Sequence, residues 1–306
     1  MLPGPPGRCV RALPRMPARR PLHFAHGRPG PAPQTQNMRQ RDAVKPLTAA
    51  AALLCCLAPA HAGDGISTDR PDFVESSQVV GKGRFQLETG LARERSGDAA
   101  GNRLRVDSTP TLLRLGVSET LELRIETDGH LRSRSEAPAA SRVTRERGFA
   151  DTSLGVKWHM QDGDEAAGRP AVAWLLHVDV DTGSAAFRGS GLRPSLRVVG
   201  EWELDGAMSV GAMGGIALDR DTDSGRFATG ILAVTAGKSW TDRFRTFVEL
   251  AGRQLAPSRH GGSVVSVDAG TAYLLSPTVQ VDAVVSRGIT HTSPDWEFGA
   301  GLSIRF

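Results

Sequence analysis

The sequence predicts an all-β chain, a transmembrane antiparallel up-and-down β-barrel of about twelve strands, and three observations carry that reading. From Phe85 onward, segments of roughly ten residues alternate apolar and polar side chains with period two, the period at which a strand turns successive residues to opposite faces. The connections between them alternate long and short, as they do where a barrel has long loops outside and tight turns on the periplasmic side. The aromatic residues gather toward the two ends of the segments with aliphatic residues between, which is where amphipathic rings settle in a bilayer.

The chain of 306 residues has a formal charge of +4, but its two parts differ. Residues 1–37 hold Arg8, Arg11, Arg15, Arg19, Arg20 and Arg28, no acid and many prolines, a composition that buries no core. They read as a start assigned too far upstream or as a disordered extension. Met38 opens MRQRDAVKPLTAAAALLCCLAPAHA, with a basic beginning, an apolar run from Leu47 to Ala60 and the small-x-small triplet Ala60-His61-Ala62. Residues 38–62 are therefore expected to be a cleaved signal peptide, its apolar run too short to span a membrane as a helix. Their loss removes nine Lys/Arg from 37 and one Asp from 33, leaving 28 basic and 32 acidic residues and a charge of −4. With no basic patch legible in what remains, a nucleic-acid partner is not expected. Cys9, Cys55 and Cys56 all precede the cleavage site, so the exported chain offers no disulfide, thiolate nucleophile or cysteine metal site.

Residues 63–83 come next, too polar and too broken by proline to be a lipid-facing strand. They carry Asp69, Arg70, Asp72 and Glu75, charges available to pair inside a lumen with Arg124, Lys157 and Arg197. The expectation is a plug in the periplasmic mouth of the barrel, with a disordered periplasmic leader as the alternative. Here ISTDRPDFVESSQVVGKGRFQLETG resembles the TDRPDF-ESS opening of outer-membrane transporter proteins grouped under the meta-pathway of phenol degradation. The match runs from Thr68 to Ser77 and continues through Gly83-Arg84-Phe85-Gln86-Leu87-Glu88, and over the rest of residues 63–306 the resemblance is one of layout. What it implies is an outer-membrane channel associated by name with uptake of aromatic or other hydrophobic compounds.

Residues 84–306 are read as the barrel. Leu121, Leu123, Ile125 and Thr127 oppose Glu122, Arg124, Glu126 and Asp128, while Val172, Trp174, Leu176, Val178 and Val180 oppose His177, Asp179 and Asp181. The long connections are SGDAAGN, the stretch from Gly129 to Gly148, TGSAAFRGSG, DRDTDSG, APSRHGG and ITHTSPD. The short ones include Ser118-Glu119, Asp205-Gly206, SWTD and Ser276-Pro277, with QDGDEAAGR longer. That rhythm places Phe85, Trp158, Trp174, Trp202, Trp240, Phe244, Tyr273 and Phe306 at one rim and Phe149, Phe227, Trp296 and Phe298 at the other. The last strand, DWEFGAGLSIRF, ends on an aromatic because its apolar face meets lipid.

Parity turns Arg124, Lys157, His177, Arg197, Glu249 and Arg305 into the lumen, where both charge signs mix and substitutions should be tolerated better than on the lipid face. Chemistry elsewhere is weakly supported. Asp219, Asp221 and Asp223 have the carboxylate spacing of a calcium loop, but Gly225 comes one residue late and Gly230 stands where a bidentate Glu belongs. Gly237-Lys238-Ser239 lacks the earlier glycine of a phosphate loop, and His159, His177, His260 and His291 show no zinc spacing. His177 has hydroxyls nearby at Thr182 and Ser184, yet it faces away from lipid and nothing orients it as a triad requires. The reading is a passive channel for small solutes, aromatic or hydrophobic compounds among them, in the outer membrane of a Gram-negative bacterium and exported through the periplasm. It needs no cofactor or metal and no catalytic residue, and its partners are outer-membrane lipid, the barrel assembly machinery and the solute. The alternatives are a structural or adhesive barrel without transport, or an outer-membrane lipid hydrolase.

Overall fold

The computed structural model describes residues 65–221 and 225–306; residues 1–37 and the expected signal peptide at 38–62 lie outside them. Fifteen strands follow one another: β1 (Phe85–Gly97), β2 (Arg103–Ser108), β3 (Thr111–Gly116), β4 (Leu121–Thr127), β5 (His130–Ala137), β6 (Arg142–Phe149), β7 (Thr152–Gln161) and β8 (Ala171–Val180), then β9 (Arg193–Leu204), β10 (Met208–Asp221), β11 (Gly225–Thr241), β12 (Phe244–Leu255), β13 (Val264–Ser276), β14 (Val279–Gly288) and β15 (Trp296–Arg305). All pair antiparallel, and β15 pairs back onto β1, so the sheet closes. Three pairs are single staves with a break: β2 and β3 at Thr109-Pro110, β4 and β5 at Asp128-Gly129, β6 and β7 at Ala150-Asp151. The result is a closed barrel of twelve staves.

The breaks have local causes. Pro110 has no N–H to give the ladder. Opposite it, Gly129 adopts φ +66°, and a Cβ there would stand 2.3 Å from the Thr109 carbonyl oxygen. Beyond the breaks the stretch from Gly129 to Gly148, expected as a loop, is a hairpin of β5 and β6 closed by a 3₁₀ turn at Pro138–Ala140. It escaped notice because neither face is apolar: the hairpin stands outside the hydrocarbon and has nothing to bury.

Closure depends on the chain's last residue. Phe85 and Phe306 exchange both backbone hydrogen bonds, at 3.3 and 2.8 Å, and their rings stack with centroids 5.9 Å apart. In lipid a strand edge left open would strand its polar backbone groups, and this pair seals the periplasmic end of the seam.

Burial is inverted relative to a water-soluble protein. Leu91 is 69 % exposed and Val248 59 %, whereas Arg114, Glu122 and Lys157 are 0 % exposed in the lumen. Trp158, Trp174, Trp240, Phe244, Tyr273 and Phe306 face outward near the periplasmic rim, and Phe149, Trp296 and Phe298 do so at the other end. Phe227 departs from the expected girdle. It is buried inside, stacked on His260 with centroids 4.2 Å apart.

Two outcomes test this architecture. Val178→Arg, which places a guanidinium on the outer face near mid-bilayer, should destabilise the barrel by about 2–4 kcal/mol in a reversible unfolding titration. Deleting Phe306 should lower the heat-modifiable folded fraction well below that of a deletion at Ala139, which lies in the hairpin turn; equal yields would contradict the role given to the Phe85–Phe306 seal.

Candidate functional site

The segment from Gly65 to Arg84 has no regular secondary structure, and its backbone polar groups must find partners elsewhere. They find them on the barrel wall. The amides of Asp69 and Arg70 donate to the Glu88 carboxylate at 3.0 and 3.1 Å, those of Phe73 and Val74 to Glu249 at 2.8 and 2.7 Å, that of Ser77 to Glu201 at 2.6 Å and that of Val80 to Glu122 at 3.0 Å. The carbonyls of Ser67 and Gln78 accept from Arg114, and that of Ser76 accepts from Lys157. Wall carboxylates thus serve as amide acceptors and wall cations as carbonyl donors, and the chain crosses the lumen from β1 to β12 and back.

Its own charges are paired as well. Asp69 meets Arg124 at 2.6 Å, Lys157 at 2.8 Å and Arg114 at 3.7 Å. Glu75 bridges Arg124 at 2.7 Å and Arg197 at 2.6 Å. Asp72 meets Arg245 at 2.9 Å, and Arg70 meets Asp282 at 3.0 Å. Arg70 reaches Asp282 through a gap that only glycine leaves: a Cβ on Gly301 would stand 2.3 Å from its Nε. Burial works against charge on both Asp69 and Glu75, but the cations win. Arg114, Lys157 and Arg124 hold the Asp69 carboxyl well below the usual aspartate range, while Arg124 and Arg197 hold that of Glu75 at about 2.

The lumen wall also has an apolar part. Ala173, Leu175, Val199, Met213, Ile231, Ala233 and Ala251, from β8 to β12, face inward as one cluster, and the plug lays Val74 on it with Phe73 beside it. Arg253 lies 5.3 Å from the Phe73 ring centroid. An apolar cluster thus spans β8 to β12, staves that also carry Arg197, Glu201, Arg245 and Glu249, and the plug meets both kinds of surface within the six residues from Asp69 to Val74.

Of the residues singled out from the sequence, Asp69, Arg70, Asp72 and Glu75 all meet wall charges, and Arg124, Lys157, Arg197 and Glu249 are among their partners or hold the adjacent amides. Arg305 donates to the Gly65 carbonyl at 3.0 Å. His177 is buried on the same inner surface with its Nδ1 4.0 Å from Glu126. Glu249, one of the lumen positions expected to tolerate change, takes two plug amides on its carboxylate. Glu88 and Arg114 were overlooked, although the alternation Phe85-Gln86-Leu87-Glu88 and Leu113-Arg114-Leu115 turns both inward. Among the described residues no group of side chains is placed to hold a metal ion, and Asp223 of the DRDTDSG loop lies outside them.

The family model described as "Putative MetA-pathway of phenol degradation" matches residues 68–306. An outer-membrane channel from Pseudomonas putida F1 superposes with a TM-score of 0.55 at 10 % identity, covering 76 % of this chain and 98 % of that one. The β domain of the Bordetella autotransporter BrkA gives 0.50 at 13 % identity, covering 74 % and 100 %. At such identities the likeness is one of fold, and the fold is that of an outer-membrane β-barrel. No curated protein matches the sequence.

Two outcomes test the docked segment. Asp69→Asn leaves three wall cations facing a neutral amide and should weaken docking by about 3–5 kcal/mol. With no other thiol in residues 63–306, a Ser77→Cys reporter should then be labelled far faster than in the parent. Because the Glu75 pKa is depressed in the docked state, its contribution is fully present above the ordinary glutamate value of 4.5 and is lost as pH falls toward about 2. The Glu75 contribution should show as a rise in conductance in planar bilayers as pH falls from about 4.5 toward about 2, absent in Glu75→Gln.

Proposed function

Because the chain belongs to the family described as "Putative MetA-pathway of phenol degradation", we propose that it is a passive outer-membrane channel for small apolar or aromatic solutes, closed by its own N-terminal segment. The observation that carries this reading is the coverage of the hydrophobic lumen wall by Val74 and Phe73. A solute with an apolar face competes for the surface those two side chains cover. Water and small ions gain nothing there. Displacing Val74 and Phe73 uncovers Leu175, Met213 and Ile231, and Phe227 lies stacked on His260 farther along β11.

The segment is suited to leaving and returning. It has no secondary structure of its own to unfold, and the wall carboxylates and cations that hold it also pair with one another, Arg114 with Glu88 and Glu122 and Arg124 with Glu122. Its end at Gly83 is tethered to β1, so redocking is intramolecular. Export relies on residues 38–62 as a signal peptide, and the barrel assembly machinery engages β15, which carries Phe306 at its end.

Removing Ser67–Gln78 while keeping the signal region should raise single-channel conductance several-fold, and unchanged conductance of a folded deletion mutant would reduce the segment to a leader. In liposome swelling, the deletion mutant should admit a neutral aromatic alcohol faster than a sugar of similar size. Leu175→Glu in that background should remove the preference.

A further inference from the structure

On the outer face of β1, β2, β5 and β6, just outside the apolar band, the strand register assembles a basic surface that no single stretch of sequence displays. Arg95 pairs with Arg105, Arg105 with Arg134, and Arg134 with Arg145, four arginines in one row across four strands. In the next row toward the membrane, Arg93, Asp107, Arg132 and Arg147 stand opposite one another. Asp107 takes Arg93 and Arg105, and Glu136 takes Arg134 at 2.7 Å. Among the described residues Arg95, Arg132, Arg145 and Arg147 have no acidic partner. Like charges directly opposite across a sheet destabilise it, and with Asp107 and Glu136 answering only Arg93, Arg105 and Arg134, the two rows keep an excess of positive charge that calls for an anion.

The height is that of headgroups. Trp296 and Phe298, which belong to the outer aromatic rim, pair with Arg95 and Arg93. Ten residues separate Phe85 at the periplasmic rim from Arg95, about 25 Å along the axis at roughly 3.3 Å per residue and 40° of tilt, which is the depth of the apolar band. On the continuing staves, toward the periplasmic end of the apolar band, the lipid-facing wall holds a depression lined by Phe85, Leu113, Leu115, Leu123, Ile125 and Leu154, whereas the residues next below the arginine rows on β1 and β15 are the exposed Leu91 and Phe298.

We propose that this face binds the phosphorylated glycolipid of the outer leaflet, lipopolysaccharide, with its phosphates on the arginine rows and its acyl chains against the exposed apolar side chains next below them, Leu91 and Phe298 among them. Guanidinium groups take phosphate oxygens in pairs, and each cation at a membrane surface adds to the attraction. The absence of a basic patch inferred from net charge is thereby corrected: the patch is made by register.

The test uses the whole barrel in detergent, with native mass spectrometry reading bound lipid. Bisphosphorylated lipid A should remain bound where dephosphorylated lipid A dissociates, and inorganic phosphate at equal concentration should not displace it. Equal retention of dephosphorylated lipid A would show that acyl chains alone bind, and displacement by inorganic phosphate would reveal a free-phosphate site; either overturns the proposal. The fourfold variant R95Q/R105Q/R134Q/R145Q, checked for the heat-modifiable folded band, should retain lipid A more than about tenfold less well. A folded variant holding as much as the parent would also overturn it, and the lipid comparison on the unmodified protein needs no variant.

Discussion

Asp69 is the point on which the interior depends. Without its carboxylate, Lys157 would lose its one carboxylate partner among the described residues, and Arg114 and Arg124 from the two neighbouring staves would be left to Glu88, Glu122 and Glu75 in a space closed to bulk water, where cations are costly unless paired. The barrel wall is thus built to receive an anion from the N-terminal segment. Docking is less an addition to a finished barrel than the completion of its charge balance. Those cations hold the Asp69 carboxyl below the usual aspartate range against the effect of burial.

From that pairing the rest of the lumen follows. The segment enters at Gly65 beside Arg305, is fixed at Asp69, turns its next amides onto Glu249 and rests Val74 on the apolar wall before Glu75 returns it to Arg124 and Arg197. Ionic and hydrophobic contacts divide the labour. The first set specifies position, because a carboxylate displaced by an ångström or two loses its hydrogen bonds. The second occupies the surface that an apolar solute would use, and it is non-directional, so a solute can replace it.

The outer face has its own vertical order, imposed by the membrane. Phe85 and Phe306 mark the periplasmic rim, exposed leucines and valines fill the band, Phe149, Trp296 and Phe298 mark the far rim, and the arginine rows begin there. The breaks at Pro110, Gly129 and Ala150-Asp151 lie on the same staves, three to five residues nearer the periplasm than the arginine rows. There the wall stops being a lipid-facing barrel and becomes a polar sheet carrying the β5–β6 hairpin, consistent with a change of solvent at that height.

The sequence by itself determined the barrel, its number of staves, the sidedness of its loops, the terminal aromatic and the charges of the N-terminal segment. Each of these depends on period two or on composition, which are local properties. It was silent wherever a strand has like faces. In β11 Phe227, Ile231 and Ala233 face inward and Leu232 and Val234 outward, so no alternation marked the apolar lumen wall and Phe227 was assigned to the rim. In β5 and β6 both faces are polar, so a hairpin read as a loop. Only the tertiary structure decided that Asp69 meets three cations, that Glu249 receives two amides and that Arg95, Arg105, Arg134 and Arg145 fall in one row. The physical reason is register: which residues stand opposite one another across a sheet, and where an irregular segment finds partners for its backbone, are set by closing the whole barrel and not by any stretch of chain within it.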